Sequence, residues 1–408
     1  MPFSRSSFSP STMANERRAH TDLRLPTRDG FPLAAQRFDP PGQVLAAAVI
    51  ANATGVRART YHGFARWLSL QGVATCTFDY RYSGLSFPLH LDAEAFTDVE
   101  RHAAMAAAPR DINLTDTWAR QDLAAVIRYA SDAWPSVPLT VVGNSMGGLL
   151  MTLIPDEWHR ITRFLNVNGG NAYYGNTAQP EAARYSVGVV MRERLESDNI
   201  FKASELGLGH DIPYGPGLQW MEWFLHPHFS VCRKADADIL KRMHLPYLYV
   251  GFTDDETVDK RMLESQLNLF SHSDGLKSSL WIDPSAQHPP WLPCQHVTSL
   301  VSSPQSIDAN LPLRRPVAGR SCAQGQTRAE TVWALYLCWI MRGAVAGNVG
   351  ELRCWTVADE RGVERMEMER VEHERAEQAR KAGLSRMAMG GGGGKVVWRA
   401  GGLRSARL

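Results

Sequence analysis

The chain has 408 residues, 44% hydrophobic and 21% charged, a balance that fits a globular protein able to bury a real core. That length exceeds one typical domain, so one large domain with an insertion or a tail is expected. With 44 Lys and Arg against 42 Asp and Glu, the formal charge is +2, and nothing in it argues for a nucleic-acid or polyanion partner.

Residues 1–20 are rich in Ser, with Arg5, Arg17 and Arg18 against Glu16, and lack the apolar segment of a secretory signal. They are expected to be disordered, with organellar targeting left open. Leu23 to Phe38 reads as two strands around the Asp29-Gly30 turn. Val44 to Ala51 is a continuous apolar run of strand length, as expected of a strand covered on both faces. The loop Asn52 to Val56 follows, then a helix with Phe64, Trp67, Leu68 and Leu70 at helical spacing, closed by Gly72. Val73 to Gly84 is a second buried strand running into a polar turn. Asp116 to Tyr129 reads as a helix capped by Asp116.

Leu139-Thr-Val-Val-Gly143-Asn144-Ser145-Met146-Gly147-Gly148 is the most informative stretch. A β-branched run enters a Gly-x-Ser-x-Gly turn, and a helix-forming run leaves it, which is the context of a nucleophile elbow. Gly143 and Gly147 remove the Cβ atoms that would block so sharp a turn. Ser145 is therefore the candidate nucleophile, presented at the start of a helix whose first amides face whatever it attacks.

Ile161 to Gly170 is a further strand, and the β-α alternation predicts a doubly wound, mostly parallel sheet. The alternation pauses over about 171–245, a stretch carrying Tyr173, Tyr174, Trp220, Trp223, Phe224 and Phe229. It is expected to be a mostly helical insertion, either roofing a pocket at the carboxyl edge of the sheet or forming a structural subdomain with its own small core, two compatible roles. The pattern resumes with a strand from Tyr247 that ends in Asp254-Asp255-Glu256, a helix around Met262 to Phe270, and a last strand from Leu276. Residues 301–408 are rich in Arg, Ser and Gly and are expected to be a disordered tail. Within them, the apolar run Val332 to Met341 is too short to span a bilayer. Six scattered cysteines form no C-x-x-C pair, and His226-Pro-His228 lacks further ligands at usable spacing, so neither a zinc site nor another metal is expected.

These pieces resemble the α/β-hydrolase superfamily, and more narrowly its serine aminopeptidase-like and lipase/esterase-type members. The resemblance covers about residues 21–300. It rests on Arg28-Asp29-Gly30, the loop Asn52 to Tyr61, Phe78-Asp79-Tyr80-Arg81, the elbow, Gly207 to Pro213, and Phe252 to Glu256. It implies a triad in the order serine, acid, histidine. Asp255 takes the acid's place, with Asp254 as the alternative and a helix N-cap as the structural role of either. His296 follows the last strand at nearly the family's distance, with His288 as the alternative. The backbone N–H of Met146 would form one half of the oxyanion hole, and the resemblance puts that of Thr54 in the other half. The helix that closes such folds after the histidine has no evident counterpart here.

The chain is thus expected to be an α/β protein: a disordered start (1–20), an α/β-hydrolase domain (21–300) with a cap insertion, and a disordered tail. The expected activity is that of a serine hydrolase acting on a small acyl or peptide substrate. No cofactor, nucleic acid or membrane span is expected, and the location is cytoplasmic. The competing readings are a non-catalytic binding protein on the same fold and an acyltransferase.

Overall fold

The computed structural model describes residues 20–270, 277–283, 336–337 and 339–341. The chain divides into two units, Met1–Trp355 and Thr356–Leu408, and every described residue belongs to the first. Ten strands are described: β1 (Thr21–Pro26), β2 (Pro32–Phe38), β3 (Ala46–Ala51), β4 (Val73–Phe78), β5 (Leu139–Asn144), β6 (Arg163–Val167), β7 (Ile200–Phe201), β8 (Ile212–Pro213), β9 (Tyr247–Phe252) and β10 (Lys277–Ile282). All but β7 and β8 join one sheet in the order β1-β2-β4-β3-β5-β6-β9-β10. β1 pairs antiparallel with β2, and β2 with β4, while the other neighbours are parallel.

The apolar runs become central strands because both faces are covered. Along β3, Ala47, Val49 and Ala51 pack into one layer, and Ala46, Ala48 and Ile50 into the other. Val141 and Val142 of β5 divide in the same way. Burying a Val or Ile side chain fully is worth about 1.5–3 kcal/mol, so this alternation sets the register.

Helix α1 (His62–Leu70) covers the second layer with Phe64 and Leu68, while Leu70, assigned to the apolar stripe in sequence, lies 43% exposed. Helix α2 (Asp98–Ala106) carries a capping box between Thr97 and Glu100. A π-type turn series, Leu114–Leu123, runs directly into α3 (Ala124–Ala133). Its cap is Asn113, whose side chain accepts the Asp116 N–H at 2.6 Å. Asp116 does not cap the helix; it pairs with Arg120 and Arg233 instead.

After β5 come α4 (Met146–Leu150) and then the insertion, with α5 (Pro180–Tyr185), α6 (Arg192–Asp198), α7 (Tyr214–Leu225) and α8 (Lys234–Lys241). The insertion also holds the antiparallel ribbon β7–β8, which the sequence did not announce. Helix α9 (Lys260–Leu267) is capped by Asp259, so neither Asp254 nor Asp255 fills that role.

The packing does not stop at residue 300, the domain boundary expected from sequence. Helical residues 336–337 and 339–341 enter the second layer, with Tyr336, Trp339 and Ile340 buried there. Trp339 Nε1 donates to the Phe164 carbonyl at 3.0 Å, and Arg163 donates to the Trp339 and Ile340 carbonyls at 2.8 and 2.9 Å. Part of the apolar run within the expected tail is thus a piece of the core. The remaining residues of that tail, and residues 1–19, lie outside the described set. Among the described residues no helix is long and apolar enough to cross a membrane.

Candidate active site

The chain passes from β3 to β4 on one side of β3 within the sheet and later returns to β5 on the other side of β3. The crevice between the carboxyl ends of β3 and β5 is therefore the switch point at which open α/β sheets bind ligands. Ser145 sits there, directly after β5, with φ +50° and ψ −117°. A non-glycine residue in that region is strained by about 1–3 kcal/mol and persists only when its surroundings hold it. Here the Ser145 N–H donates to the Val167 carbonyl at 2.8 Å, and its carbonyl accepts the Gly148 N–H at 2.9 Å.

The glycines around the turn are there for space. A Cβ on Gly143 would lie 2.4 Å from the Gly148 nitrogen, and one on Gly147 would lie 2.1 Å from the Ala51 carbonyl oxygen. Elbow and β3 loop are thus in backbone contact, which needs Gly147. Beneath the elbow, the Asn166 side chain closes the following turn, accepting from Gly169 N at 2.8 Å and donating to its carbonyl at 2.9 Å.

The loop after β3 is fixed to the elbow by a residue whose role the sequence did not reveal. Buried Tyr61 accepts the Ala53 N–H at 3.0 Å and donates to Asn144 Oδ1 at 3.0 Å. Burial pushes its phenol well above the usual range, so it stays a donor. Asn144 Nδ2 in turn donates to the Val167 carbonyl at 3.1 Å. The loop is also tied to the insertion, since His210 N–H donates to the Gly55 carbonyl at 2.7 Å. Gly55 adopts φ +65°, and a Cβ there would stand 2.1 Å from the His210 carbonyl oxygen.

Ser145, Met146 and Thr54 line one cavity of about 40 Å³, roofed by Trp220, Trp223 and Phe229 of the insertion. Met146 is the first residue of α4, so its N–H is among those that helix geometry leaves without an intrahelical acceptor. Thr257 and Val258 line the same cavity, and their N–H groups donate to Asp255 Oδ1 at 2.8 and 3.0 Å. Asp255 is buried, 6% exposed, at the carboxyl end of β9, whereas Asp254 is only partly buried. His296 and His288, the two histidine candidates, lie outside the described residues.

No family model and no curated protein sequence matches the chain. Among solved structures it is similar to DcsB in complex with its substrate analogue, with a TM-score of 0.50 and 16% identity, covering 80% of this chain and 100% of that one. It is similar to Est1E from Butyrivibrio proteoclasticus with bound ferulic acid at a TM-score of 0.42 and 16% identity, covering 68% of this chain and 91% of that one. For the α/β hydrolase GrgF from Penicillium sp. sh18 the TM-score is 0.43 and the identity 15%, with coverages of 68% and 91%. Likeness at such identities concerns the fold. Taken with the strand order and the strand-turn-helix at Ser145, it gives the chain the α/β-hydrolase fold.

Proposed function

We propose that the chain is a serine hydrolase that cleaves a small ester, acyl or peptide substrate through an acyl-enzyme on Ser145. The observation that carries this reading is Ser145 held at φ +50° on the elbow, sharing a cavity with Thr54 and Met146. In this reading Ser145 Oγ attacks the substrate carbonyl while His296, or His288 in its place, takes the hydroxyl proton. Asp255 orients that ring and stabilises its charged form. The Met146 and Thr54 N–H groups receive the developing oxyanion, and losing one such donor raises the barrier by about 3 kcal/mol. The histidine returns its proton to the leaving group, and water then opens the acyl-enzyme. This chemistry calls for no cofactor.

The small cavity with its tryptophan and phenylalanine roof favours a short apolar acyl group. Labelling by a fluorophosphonate probe is the direct test: the folded protein should label, and Ser145→Ala should not. Folded protein that does not label would leave a non-catalytic binding protein on this fold. Nitrophenyl esters of graded length, with aminoacyl anilides beside them, separate esterase from aminopeptidase-like activity. Product analysis with an added alcohol separates water from another acyl acceptor.

A further inference from the structure

The loop that follows β3 has a second cavity beside it, larger than the one at Ser145. It measures about 260 Å³ and is lined by Ala53 and Gly55, whereas Thr54 between them lines the Ser145 cavity. Its walls carry two guanidinium groups. Arg57 makes no ion pair among the described residues, and Arg101 donates to the Gly84 and Ala93 carbonyls rather than to a carboxylate. Two guanidiniums held together repel each other, and this arrangement is favourable once an anion lies between them.

A second, independent observation concerns the aromatic wall. Tyr80 and Trp118 line the same cavity, stacked with centroids 4.7 Å apart, and are 2% and 1% exposed. The stacked rings give the cavity a flat, largely apolar wall against which a planar ligand can lie. Trp118 also sits on the π-type segment, a distortion frequent at functional sites.

The acids nearby are mostly committed. Asp211 pairs with His102 at 3.0 Å and Lys202 at 3.5 Å, and Asp79 accepts backbone N–H groups from Ala58 and Leu85. Buried Asp79, and Asp98, which also lines the cavity, are the carboxyl groups that oppose the arginines. The positive field still prevails at His210: besides burial, Arg57, Arg59 and Arg101 hold its imidazole below the usual range.

We propose that this cavity is a second binding site that takes the oxyanion of a small ligand, a carboxylate or a phosphate. Arg57 and Arg101 face its charge, and the stacked Tyr80–Trp118 pair offers a flat apolar wall. The site goes beyond the hydrolase reading and does not depend on it.

The test is isothermal titration of the full chain with inorganic phosphate and with benzoate, repeated on Ser145→Ala so that turnover plays no part. At least one anion should bind, and Arg57→Gln should weaken it about tenfold, the equivalent of one charge-assisted hydrogen bond. Arg57 is the residue to change because Arg101 also ties down the 84–93 loop. Asp98→Asn should act in the opposite direction and tighten binding about threefold. Absence of binding by both anions, or affinities unchanged in both variants, overturns the site. Hydrolysis of 4-acetoxybenzoate against phenyl acetate then identifies the source. A preference for the former that shrinks in Arg57→Gln assigns the anion to the substrate, and anion binding without such a preference assigns it to a separate effector. Anion binding in a chain that fails to label with fluorophosphonate would sink the hydrolase reading and leave this one standing.

Discussion

The Tyr61 hydroxyl donates a hydrogen bond to Asn144 Oδ1 over 3.0 Å, joining the residue before the proposed nucleophile Ser145 to the loop on the opposite side of the cavity. Because the same oxygen receives the Ala53 N–H, one phenol sets the distance between Ser145 and the proposed oxyanion donor at Thr54. Tyr61→Phe removes two buried hydrogen bonds and should cost about 1–3 kcal/mol in urea denaturation. It should also lower kcat by about tenfold or more with little change in KM, because misplacement of a catalytic element acts on the transition state. Unchanged kcat would show that the loop stands without the phenol.

The strain at Ser145 predicts a trade between stability and activity. Glycine tolerates φ +50° without a Cβ penalty, so Ser145→Gly should raise stability by about 1 kcal/mol while abolishing turnover. A thermal melt beside an esterase assay checks both halves. A destabilised variant would mean that the serine side chain contributes more to folding than its backbone conformation costs.

His62 sets a pH dependence that is separate from catalysis. Burial, with His20 beside it, lowers its pKa to about 4. The unfolded chain titrates near 6.5, so between these values it holds a proton that the native state lacks. Stability is therefore complete above about pH 6.5 and declines as the pH falls towards 4. His62→Gln should flatten that decline by at most about 3 kcal/mol over the window, read from urea melts at several pH values. Parallel curves for the two proteins would count against it.

Trp339 tests the extent of the domain. Its ring lies in the layer beneath α1 and its indole donates to the Phe164 carbonyl of β6. Trp339→Ala should cost about 3–5 kcal/mol in chemical denaturation, the usual penalty for emptying a core aromatic site. A variant as stable as the parent would show that the fold is complete without residues 336–341.

Much of the architecture was legible because its signals are local. Val44 to Ala51 and Leu139 to Asn144 advertise strands covered on both faces, and the spacing of Gly143 and Gly147 marks the turn at Ser145. Local signals fail where a side chain acts over a long separation. Nothing around Tyr61 shows that its hydroxyl reaches a residue 83 positions away. The apolar residues near Trp339 read as an isolated run in a polar tail, since their partners Phe64 and Phe164 lie far upstream. The strands β7 and β8 have two residues each, too short for any alternation to register. Asp254 and Asp255 are adjacent acids in sequence; only the fold separates the buried one that binds the Thr257 and Val258 amides from its partly buried neighbour.

The hydrogen bond from His210 to Gly55 ties the insertion to the loop that carries Thr54. Evolutionary change in the roof is therefore not free. Mutations at 207–212 that reshape what the pocket admits would also disturb the proposed oxyanion hole, so selectivity and rate are inherited together there. The exposed faces of α5 and α6, away from that contact, are where the roof can drift without a catalytic penalty.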